Sequence, residues 1–497
     1  MASRSETGYD IGVEYKAPTS GQLDLHTLSP RELGGKGIRF VRVQWTDLTN
    51  TTRFRILPTA HFLELLASKR GGINIAKVVL GLVNLSVADG FSGVGEYLYV
   101  PDVRTLRRCP FEEGHAAVMG RFEEKKPYGV PVGIMIDKSV EVPLCPRTSI
   151  SLVVIHPHHS ILCTFNSEAL TEHTQFLVGF ESEFVLLSST HPLTPIDTHA
   201  FSTAASLRAG SVQSKVLGEI AKAVQEAGIE LQLYHGEAAP GQYEVTTGPL
   251  PPLEAADALV HTREIIYNVA SLHGLRATFM PKPTPTSAGS AAHAHISVHS
   301  TSSSQSLKVP STLSDLEQQF LAGLMAHLPA LPALTLPTSA SYNRVGDGVW
   351  SGGTYVCWGS ENREAPIRLV NPHSPSSRRF EMRFIDGTAN PYLALAGIIG
   401  AGLDGIERQS GLSVQDISGE KSAAQMSEAE RRERGVVLRM PLSWEEGRER
   451  LLEDGVVRGV LGEEMVEKYL SVNKLLNEYL EGEQNLARKM QKVAEFY

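Results

Sequence analysis

The sequence predicts an α+β fold, because segments typical of strands and segments with helical periodicity follow one another along the chain. Short runs rich in Val, Tyr, Phe and Ile, bounded by Asp, Pro or Gly, predict a small sheet built from residues 38–45, 96–100 and 116–119. The run FLVGFESEFVLL has the length and apolar content of a buried strand. Apolar residues recur at helical spacing in 212–228 and 252–273, and Gly228 and Gly274 supply helix ends.

The predicted organisation is a polar N-terminal tail (residues 1–36), a small first domain (37–145) and a large second domain (146–497). A length of 497 residues allows about three domain equivalents, or two with one of them large. A serine-rich stretch at 300–306 and a charged one at 417–435 predict surface insertions. The final 60 residues have a helical pattern.

Composition excludes several classes of protein. Asp and Glu number 55 against 46 Lys and Arg, and no basic cluster follows the chain, so we expect no nucleic-acid partner. No apolar run approaches the length of about 20 residues that spans a bilayer, so we expect no membrane association. The four cysteines have no CxxC spacing, which favours reduced thiols and a cytoplasmic location.

Paired glutamates in GFESEFVLL are the first candidate for chemistry. Glu181 and Glu183 are two residues apart on a predicted strand, so they point to the same face. Two adjacent buried carboxylates repel each other unless a cation compensates them, and a metal ion is the simplest cation. An edge strand whose glutamates face water is the alternative for this segment alone.

Two later motifs add further polar groups. HGEAAPGQYE places Glu237 and Glu244 on either side of a Pro-Gly turn, and GSAAHAHIS places His293 and His295 two residues apart. A lone His-x-His pair is more often structural than metal-binding. Together, however, four glutamates and a histidine form an oxygen-rich set that suits Mg²⁺ or Mn²⁺ better than zinc.

Arginines in the next hundred residues complete the pattern. They are Arg344, Arg363, Arg368, Arg379 and Arg383, and Glu381 lies between the last two. Such a set can hold phosphate and carboxylate oxygens around divalent cations, the apparatus of phosphoryl transfer. The sequence has no GxxxxGK[ST] loop, no protein-kinase set and no GxGxxG after a strand, so the strands themselves would have to hold a nucleotide.

The ordered series GFESEF, HGEAAPGQYE, TFMPKP, GSAAHAHIS, SYNR, ENREAPIR and RRFEMRFIDGTANPYLALA resembles the glutamine synthetase family, in its bacterial type I branch. The resemblance covers residues 37 to about 485. It implies a small N-terminal β-grasp domain, a large glutamine-synthetase-type catalytic domain, and homo-oligomeric rings with sites between neighbours. It also implies ATP, Mg²⁺ or Mn²⁺, glutamate or a similar acid, and ammonia or an amine that attacks an acyl phosphate.

The resemblance carries roles over to individual residues. One metal is expected on Glu183, Glu237 and Glu244 and a second on Glu181, His293 and Glu381. ATP-side contacts are expected from His295, Ser297, Arg363, Arg368 and Arg379. Acid-substrate contacts are expected from Gly289, Arg344 and Arg383, and catalytic roles from Asp47, Arg363 and Arg383, with Asp47 supplied to a neighbouring subunit's site.

Departures from the family pattern indicate an altered substrate. Ammonia-using members carry a glutamate six residues after the arginine of the SYxR motif, where this chain has Trp350. An Asp-Asn pair expected before Gly289 is Ser287-Ala288. These changes predict a larger or less polar amine than ammonia, or an altered acid. The alternatives are an ammonia-using glutamine synthetase, a non-catalytic scaffold or regulator, and a metal-dependent hydrolase suggested by His156-x-His158.

Overall fold

The computed structural model describes residues 11–16, 27–125, 139–141, 151–153, 174–199, 201, 203–283, 286–300 and 313–497. The predicted domain boundary near Cys145, the His156-x-His158 pair and most of the serine-rich stretch lie outside these residues. None of the described helices is long and apolar enough to cross a bilayer.

Nine strands and one α-helix form the first domain up to Glu124. The strands are β1 (Phe40–Thr46), β2 (Thr52–Pro58), β3 (Ile73–Ala76), β4 (Leu82–Val83), β5 (Ser86–Val87), β6 (Glu96–Pro101), β7 (Arg107–Arg108), β8 (His115–Val118) and β9 (Gly120–Glu124). The helix is α1 (Thr59–Ala67). The strands form a four-stranded sheet in the order β2-β1-β8-β7, a three-stranded sheet β3-β6-β9 and the β4-β5 pair.

Aromatic side chains hold the two larger sheets of the first domain together. Trp45 of β1, Tyr99 of β6 and Phe122 of β9 are all buried. The rings of Tyr99 and Phe122 meet edge to face at 4.6 Å between centroids, and the Tyr99 hydroxyl donates to the Gln44 carbonyl at 2.6 Å. The buried Tyr99 hydroxyl is thus satisfied, whereas the buried indole nitrogen of Trp45 has no hydrogen-bond partner among the described residues, so packing of the rings is what stabilises this core.

Strand β10 (Ser139–Glu141), on the first-domain side of the predicted boundary, pairs with β11 (Ser151–Val153) on the other side. The other described strands of the second domain are β12 (Thr174–Thr190), β13 (Leu193–Pro195), β14 (Leu231–Gly236), β15 (Gln242–Thr247), β16 (Arg276–Thr278), β17 (Ala294–Ser300), β18 (Trp358–Ser360), β19 (Ile367–Val370) and β20 (Arg379–Met382). Its α-helices are α2 (Val212–Glu226), α3 (Pro252–Leu272), α4 (Asp315–His327), α5 (Pro332–Thr335), α6 (Ser339–Tyr342), α7 (Pro391–Glu407), α8 (Glu428–Glu433), α9 (Trp444–Glu453), α10 (Gly455–Leu461), α11 (Glu463–Glu481) and α12 (Leu486–Phe496).

One large, mainly antiparallel sheet organises the second domain. Its strand order is β14-β15-β12-β17-β20-β19-β18, with β13 and β16 also paired to β12. The 17-residue strand β12 pairs with β17 along its first half and with β15 along its second half. The paired glutamates of β12, Glu244 of β15 and His295 of β17 therefore lie on neighbouring strands, while Glu237 directly follows β14 and His293 directly precedes β17.

Helices cover the sheet, and two of them cross at very short range. A Cβ atom added to Gly405 of α7 would lie 2.7 Å from the Cα of Gly323 on α4. Only glycine at this crossing allows the two backbones to approach so closely. Helix α7 is buried along almost its whole length, as its sequence PYLALAGIIGAGLDGIE indicates.

The predicted α+β class is confirmed, while one of its details is wrong. Helices α2 and α3 lie where periodicity placed them, and the left-handed Gly228 and Gly274 follow their ends. The segment 417–435 is not simply a surface insertion: Ile417 is fully buried, and its N–H donates to the Trp358 carbonyl at 3.0 Å. The sequence masks this because charged residues surround the few apolar residues that pack.

A histidine joins three helices in the second domain. His327, at the end of α4, places Nδ1 2.8 Å from Asp454, the N-cap of α10, and Nε2 3.2 Å from Asp404 of α7. Both ring nitrogens face carboxylates, so the imidazolium form fits this position. Burial alone would lower the pKa of His327, but the hydrogen bonds and charges of Asp404 and Asp454 raise it to about 9.

We expect this ion triad to make stability depend on pH in the alkaline direction. The folded-state pKa lies above the unfolded value, so the stabilisation is complete below about pH 6.5 and is lost as the pH rises through about 9. His327→Gln should therefore lower the free energy of unfolding by about 1–3 kcal/mol at pH 6 and by much less at pH 9.5. Urea unfolding of both proteins at the two pH values measures this, and an equal cost at both would contradict it.

Candidate active site

Five strands of the large sheet carry eight of the predicted site residues: Glu181 and Glu183 on β12, Glu244 on β15, His295 and Ser297 on β17, Arg368 on β19, and Arg379 and Glu381 on β20. In the ladders, Glu183 of β12 lies opposite Glu244 of β15, and His295 of β17 lies opposite Glu381 of β20. Like charges directly opposite each other destabilise a sheet pair unless something compensates them. The pairing of β12 with β15 thus brings the carboxyl groups of Glu183 and Glu244 together.

Glu181 lies between two histidines. His293 Nδ1 is 2.9 Å from Glu181 Oε2, and His295 Nε2 is 2.8 Å from Glu181 Oε1. Burial alone would raise the pKa of Glu181, but His295 and His293 hold it well below its usual range. His293 Nδ1 also lies 3.5 Å from Glu381 Oε1 and 3.8 Å from Glu183 Oε1, so three carboxylates converge on one ring nitrogen.

Glu183 is buried in a more negative environment. Its Oε2 accepts hydrogen bonds from the Gln242 amide at 2.9 Å and from the Ala291 N–H at 3.0 Å. Burial, together with the charges of Glu244 and Glu237, raises the pKa of Glu183 well above its usual range. Burial likewise raises the pKa of Glu244. Because the pKa values of both carboxyl groups are raised, each group must either bind a proton or lie beside a cation.

Two groups in the described residues have ligand atoms close enough to hold a metal ion, with all the atoms in each group within 4.8 Å of one another: Glu181, His295 and Glu381 in one, and His235, Glu237 and Glu244 in the other. Two of these residues differ from the expected sets. His295, expected on the ATP side, lies beside Glu181, and His235 was not singled out from the sequence at all. The expected metal roles of Glu183 and His293 stay predictions; His293 lies beside Glu181 and Glu381 of the first group, and Glu183 lies opposite Glu244 of the second.

The donor set fits divalent cations. Carboxylate oxygens dominate both groups, with a histidine nitrogen in each, a chemistry that suits Mg²⁺ or Mn²⁺. The His293 Nε2 atom is buried and has no hydrogen-bond partner among the described residues. Buried polar atoms normally have a partner, so this atom fits a site that binds a further group.

Arginines border the acidic groups on the β19–β20 side. Arg368 Nη1 donates to Glu381 Oε2 at 3.1 Å, and Arg383 Nη1 donates to Glu381 Oε1. Arg379 donates from Nε to His295 Nδ1 at 3.1 Å. These hydrogen bonds hold the guanidinium groups beside the carboxylates. An anion that is bound to metal ions at the carboxylates could contact the guanidinium groups as well. Arg363 is exposed, and its carbonyl accepts from Arg383 Nε at 3.1 Å.

Ser297 and Asp47 have local partners in the described chain. The Ser297 hydroxyl lies 2.8 Å from His299 Nε2 on β17. Asp47 is fully buried in the turn after β1, where it accepts from Thr49 and from Arg53 Nε at 2.6 Å. Its carboxylate therefore stabilises its own loop, and its expected role at a neighbouring subunit's site stays a prediction.

Arg344 and Gly289 fit against each other. Arg344 is 3% exposed, and its guanidinium donates to the carbonyls of Ser351 at 3.1 Å and Arg383 at 2.9 Å. Its contacts hold the loop after α6 against the end of β20, and its expected contact with the acid substrate stays a prediction. A Cβ atom on Gly289 would lie 2.8 Å from the Pro281 carbonyl oxygen and closer still to Arg344 Cγ.

We expect Gly289→Ala to distort this contact, because both neighbours are held in place by the surrounding backbone. The substitution should lower the free energy of unfolding by about 1–3 kcal/mol. Thermal melting measures the effect, and Gly411→Ala is the matched control because a Cβ there meets nothing within 4 Å. Equal melting temperatures for the two variants would show that the loop yields freely.

Trp350 lies on the loop that Arg344 holds. Trp350 is 63% exposed, and its carbonyl accepts a hydrogen bond from Arg383 Nη2. The centroid of its ring lies 6.5 Å from that of Phe201. Phe201 is 65% exposed and has a left-handed backbone. Its N–H donates to the Ala238 carbonyl at 3.2 Å, which places the aromatic pair next to Glu237. Sequence reasoning missed Phe201, since only the fold brings it to Trp350.

Comparisons with known proteins agree with this arrangement. A family model described as "Glutamine synthetase, catalytic domain" matches residues 160–488. Protein fluG of Emericella nidulans is 32% identical over 95% of this chain, which spans about half of fluG (51%). The gamma-glutamylpolyamine synthetase GlnA3 of Streptomyces coelicolor is 28% identical over 91% of this chain and 92% of its own length.

A solved structure described as a novel glutamine synthase homolog has the same fold. It superposes with a TM-score of 0.72 at 27% identity, covering 93% of this chain and 99% of its own. The matched family model covers more than half of the chain and includes both acidic groups and the arginines that border them. The chain therefore belongs to the glutamine synthetase family, whose members are ATP-dependent ligases that join a carboxylate to ammonia or an amine.

Proposed function

We propose that the chain phosphorylates the γ-carboxylate of glutamate, or of a similar acid, with ATP and joins it to an organic amine, with ammonia as a poor substrate. The observation that carries the choice of amine is the exposed aromatic pair of Trp350 and Phe201. It lies where ammonia-using relatives are expected to present a glutamate. GlnA3, named a gamma-glutamylpolyamine synthetase, is in keeping with an organic amine.

The phosphoryl-transfer part of the proposal rests on the acidic groups and the arginines. Divalent cations bound there would neutralise the phosphate oxygens of ATP and orient the γ-phosphoryl group. In the proposal, Arg363, Arg368 and Arg379 bind the phosphates, and Arg383 binds the acid. The carboxylate oxygen of the acid attacks the γ-phosphorus, ADP leaves, and the amine nitrogen then displaces phosphate from the acyl carbon. A proton from the amine must leave in this second step.

That proton explains why the residue at position 350 matters. Ammonium has a pKa well above neutrality, so a site that uses ammonia benefits from a carboxylate that binds the cation and accepts its proton. Asp347, the acid near Trp350 in the chain, is occupied: it accepts from Thr354 Oγ1 at 2.6 Å and from Arg439 Nη2 at 2.5 Å. Trp350 and Phe201 instead offer flat apolar surfaces that suit an alkyl, aromatic or polyamine chain.

A ring assembly also belongs to the proposal. The family resemblance is its support, and the buried Asp47 leaves open which residues of a neighbour would complete the site. Light scattering of active protein tests it, and a fully active monomer would contradict it.

The experiment for the function is a substrate panel. Purified protein is incubated with ATP, Mg²⁺, glutamate and ammonia or one of several alkyl, aromatic and polyamine substrates, with phosphate release and product mass as readouts. We expect a γ-glutamyl product with an organic amine and a kcat/KM for it at least about 10-fold above that for ammonia. A preference for ammonia would contradict the amine assignment. If no combination of acid and amine gives ATP-dependent phosphate release or a ligated product, the chain is a non-catalytic scaffold.

A further inference from the structure

We propose that His235 is an additional ligand of the metal ion bound at Glu237 and Glu244, so that this site has one nitrogen donor. The inference rests on the proposed metal-dependent function. His235 belongs to neither metal set expected from the family motifs, yet it lies on β14 directly opposite Glu244 of β15.

The hydrogen bond of one ring nitrogen determines what the other can do. His235 Nδ1 lies 3.0 Å from the Gly236 carbonyl oxygen. A carbonyl oxygen only accepts, so Nδ1 carries the proton in this contact. In the neutral ring, Nε2 is then the atom that would coordinate a metal ion in place of its contact with Glu244. A ligand histidine whose other nitrogen donates to a backbone carbonyl is the usual arrangement in metal sites.

The Nε2 atom of His235 faces the carboxylate of Glu244. Nε2 lies 3.4 Å from Glu244 Oε1. Either a second ring proton or a cation that both atoms bind can occupy the space between them. One ligand atom from each of His235, Glu237 and Glu244 fits within 4.8 Å of the others, and all three residues are buried or half-buried. A single cation can therefore touch all three.

A nitrogen ligand should shift the selectivity of the site. Imidazole favours Mn²⁺ over Mg²⁺ relative to an all-oxygen site, following the order of affinities of divalent metals for nitrogen donors. We therefore expect His235→Asn to weaken Mn²⁺ binding at this site by about 10-fold or more, with a smaller effect on Mg²⁺.

The test uses Mn²⁺ binding without substrates, followed by electron paramagnetic resonance. Mn²⁺ is titrated into the wild type, His235→Asn, His235→Asp and the control His273→Asn, whose histidine pairs with Glu219 at 2.8 Å away from both acidic groups. Pulsed measurements report ¹⁴N coupling to the bound Mn²⁺. We expect His235→Asn to lose affinity and part of the ¹⁴N coupling, and His235→Asp to regain affinity without regaining the coupling, while His273→Asn matches the wild type.

The outcomes separate this inference from the function on which it rests. If the wild type and His235→Asn bind Mn²⁺ with the same affinity and the same ¹⁴N coupling, His235 is not a ligand, its second proton compensates Glu244, and the metal-dependent function stands. If the wild type binds no Mn²⁺ at all, the metal-dependent function itself fails. If His235→Asn does not fold, His235→Asp decides the question. A His235→Asp variant that keeps the full ¹⁴N coupling of the wild type would overturn the assignment, because its residue 235 has no nitrogen to give that coupling.

Discussion

Glu183→Gln should lower ATP-dependent phosphate release on the order of 10³-fold while leaving the fold intact. Glu183 is 7% exposed, and burial together with Glu244 and Glu237 raises its pKa well above its usual range. The carboxylate is therefore charged only when a cation compensates it. Glutamine keeps the volume and can still accept from the Ala291 N–H, but it contributes no charge to a metal site.

Three measurements isolate the cause of this loss. Phosphate release gives the activity, thermal melting gives the stability, and Mn²⁺ titration gives the metal affinity. Glu219→Gln is the control, because Glu219 pairs with His273 on the surface and lies on neither acidic group. Full turnover by Glu183→Gln, or full turnover of the wild type in the presence of a chelator, would contradict the prediction that activity depends on a metal ion.

Much of the site follows from local sequence pattern because strand alternation is a local property. The i, i+2 spacing of Glu181 and Glu183, and of His293 and His295, predicted that each pair shares a face. The described ladders put Glu244 opposite Glu183 and Glu381 opposite His295. The α+β class likewise followed from periodicity, since β12, α2 and α3 lie where apolar spacing indicated them.

The remaining features depend on contacts between distant segments, which no local pattern encodes. Phe201 lies beside Trp350 although the two are 149 positions apart in the chain, and a hydrogen bond from its N–H to the Ala238 carbonyl helps to place it. The contacts of Asp47 with Arg53 and the turn residues likewise could not be predicted from the sequence pattern. His235 precedes Glu237 in the motif HGE, but its role depends on the register that places it opposite Glu244. That register was not available from the sequence.

Trp350→Glu should reverse the preference between amines. A glutamate at this position can bind ammonium and accept its proton, an effect of about 10²-fold in kcat/KM for ammonia. The same change removes the apolar wall that Trp350 forms with Phe201, so kcat/KM for the best organic amine should fall by about 10-fold or more. Because the Trp350 carbonyl accepts from Arg383 through the backbone, the substitution leaves that loop contact in place.

Matched variants separate the side chain at position 350 from the loop that carries it. Val349→Glu puts an acid on the neighbouring exposed position and should not raise the ammonia rate, since alternate positions of a loop present side chains in different directions. Phe201→Ala should lower the rate with the organic amine and leave ammonia unchanged, because Phe201 contributes a surface and no proton acceptor. Wild-type protein that already prefers ammonia, or a Trp350→Glu variant with an unchanged ratio of the two kcat/KM values, would mean that Trp350 only packs the loop. In that case the proton acceptor must be sought elsewhere, and Asp347 released from Arg439 by Arg439→Gln is the next group to measure.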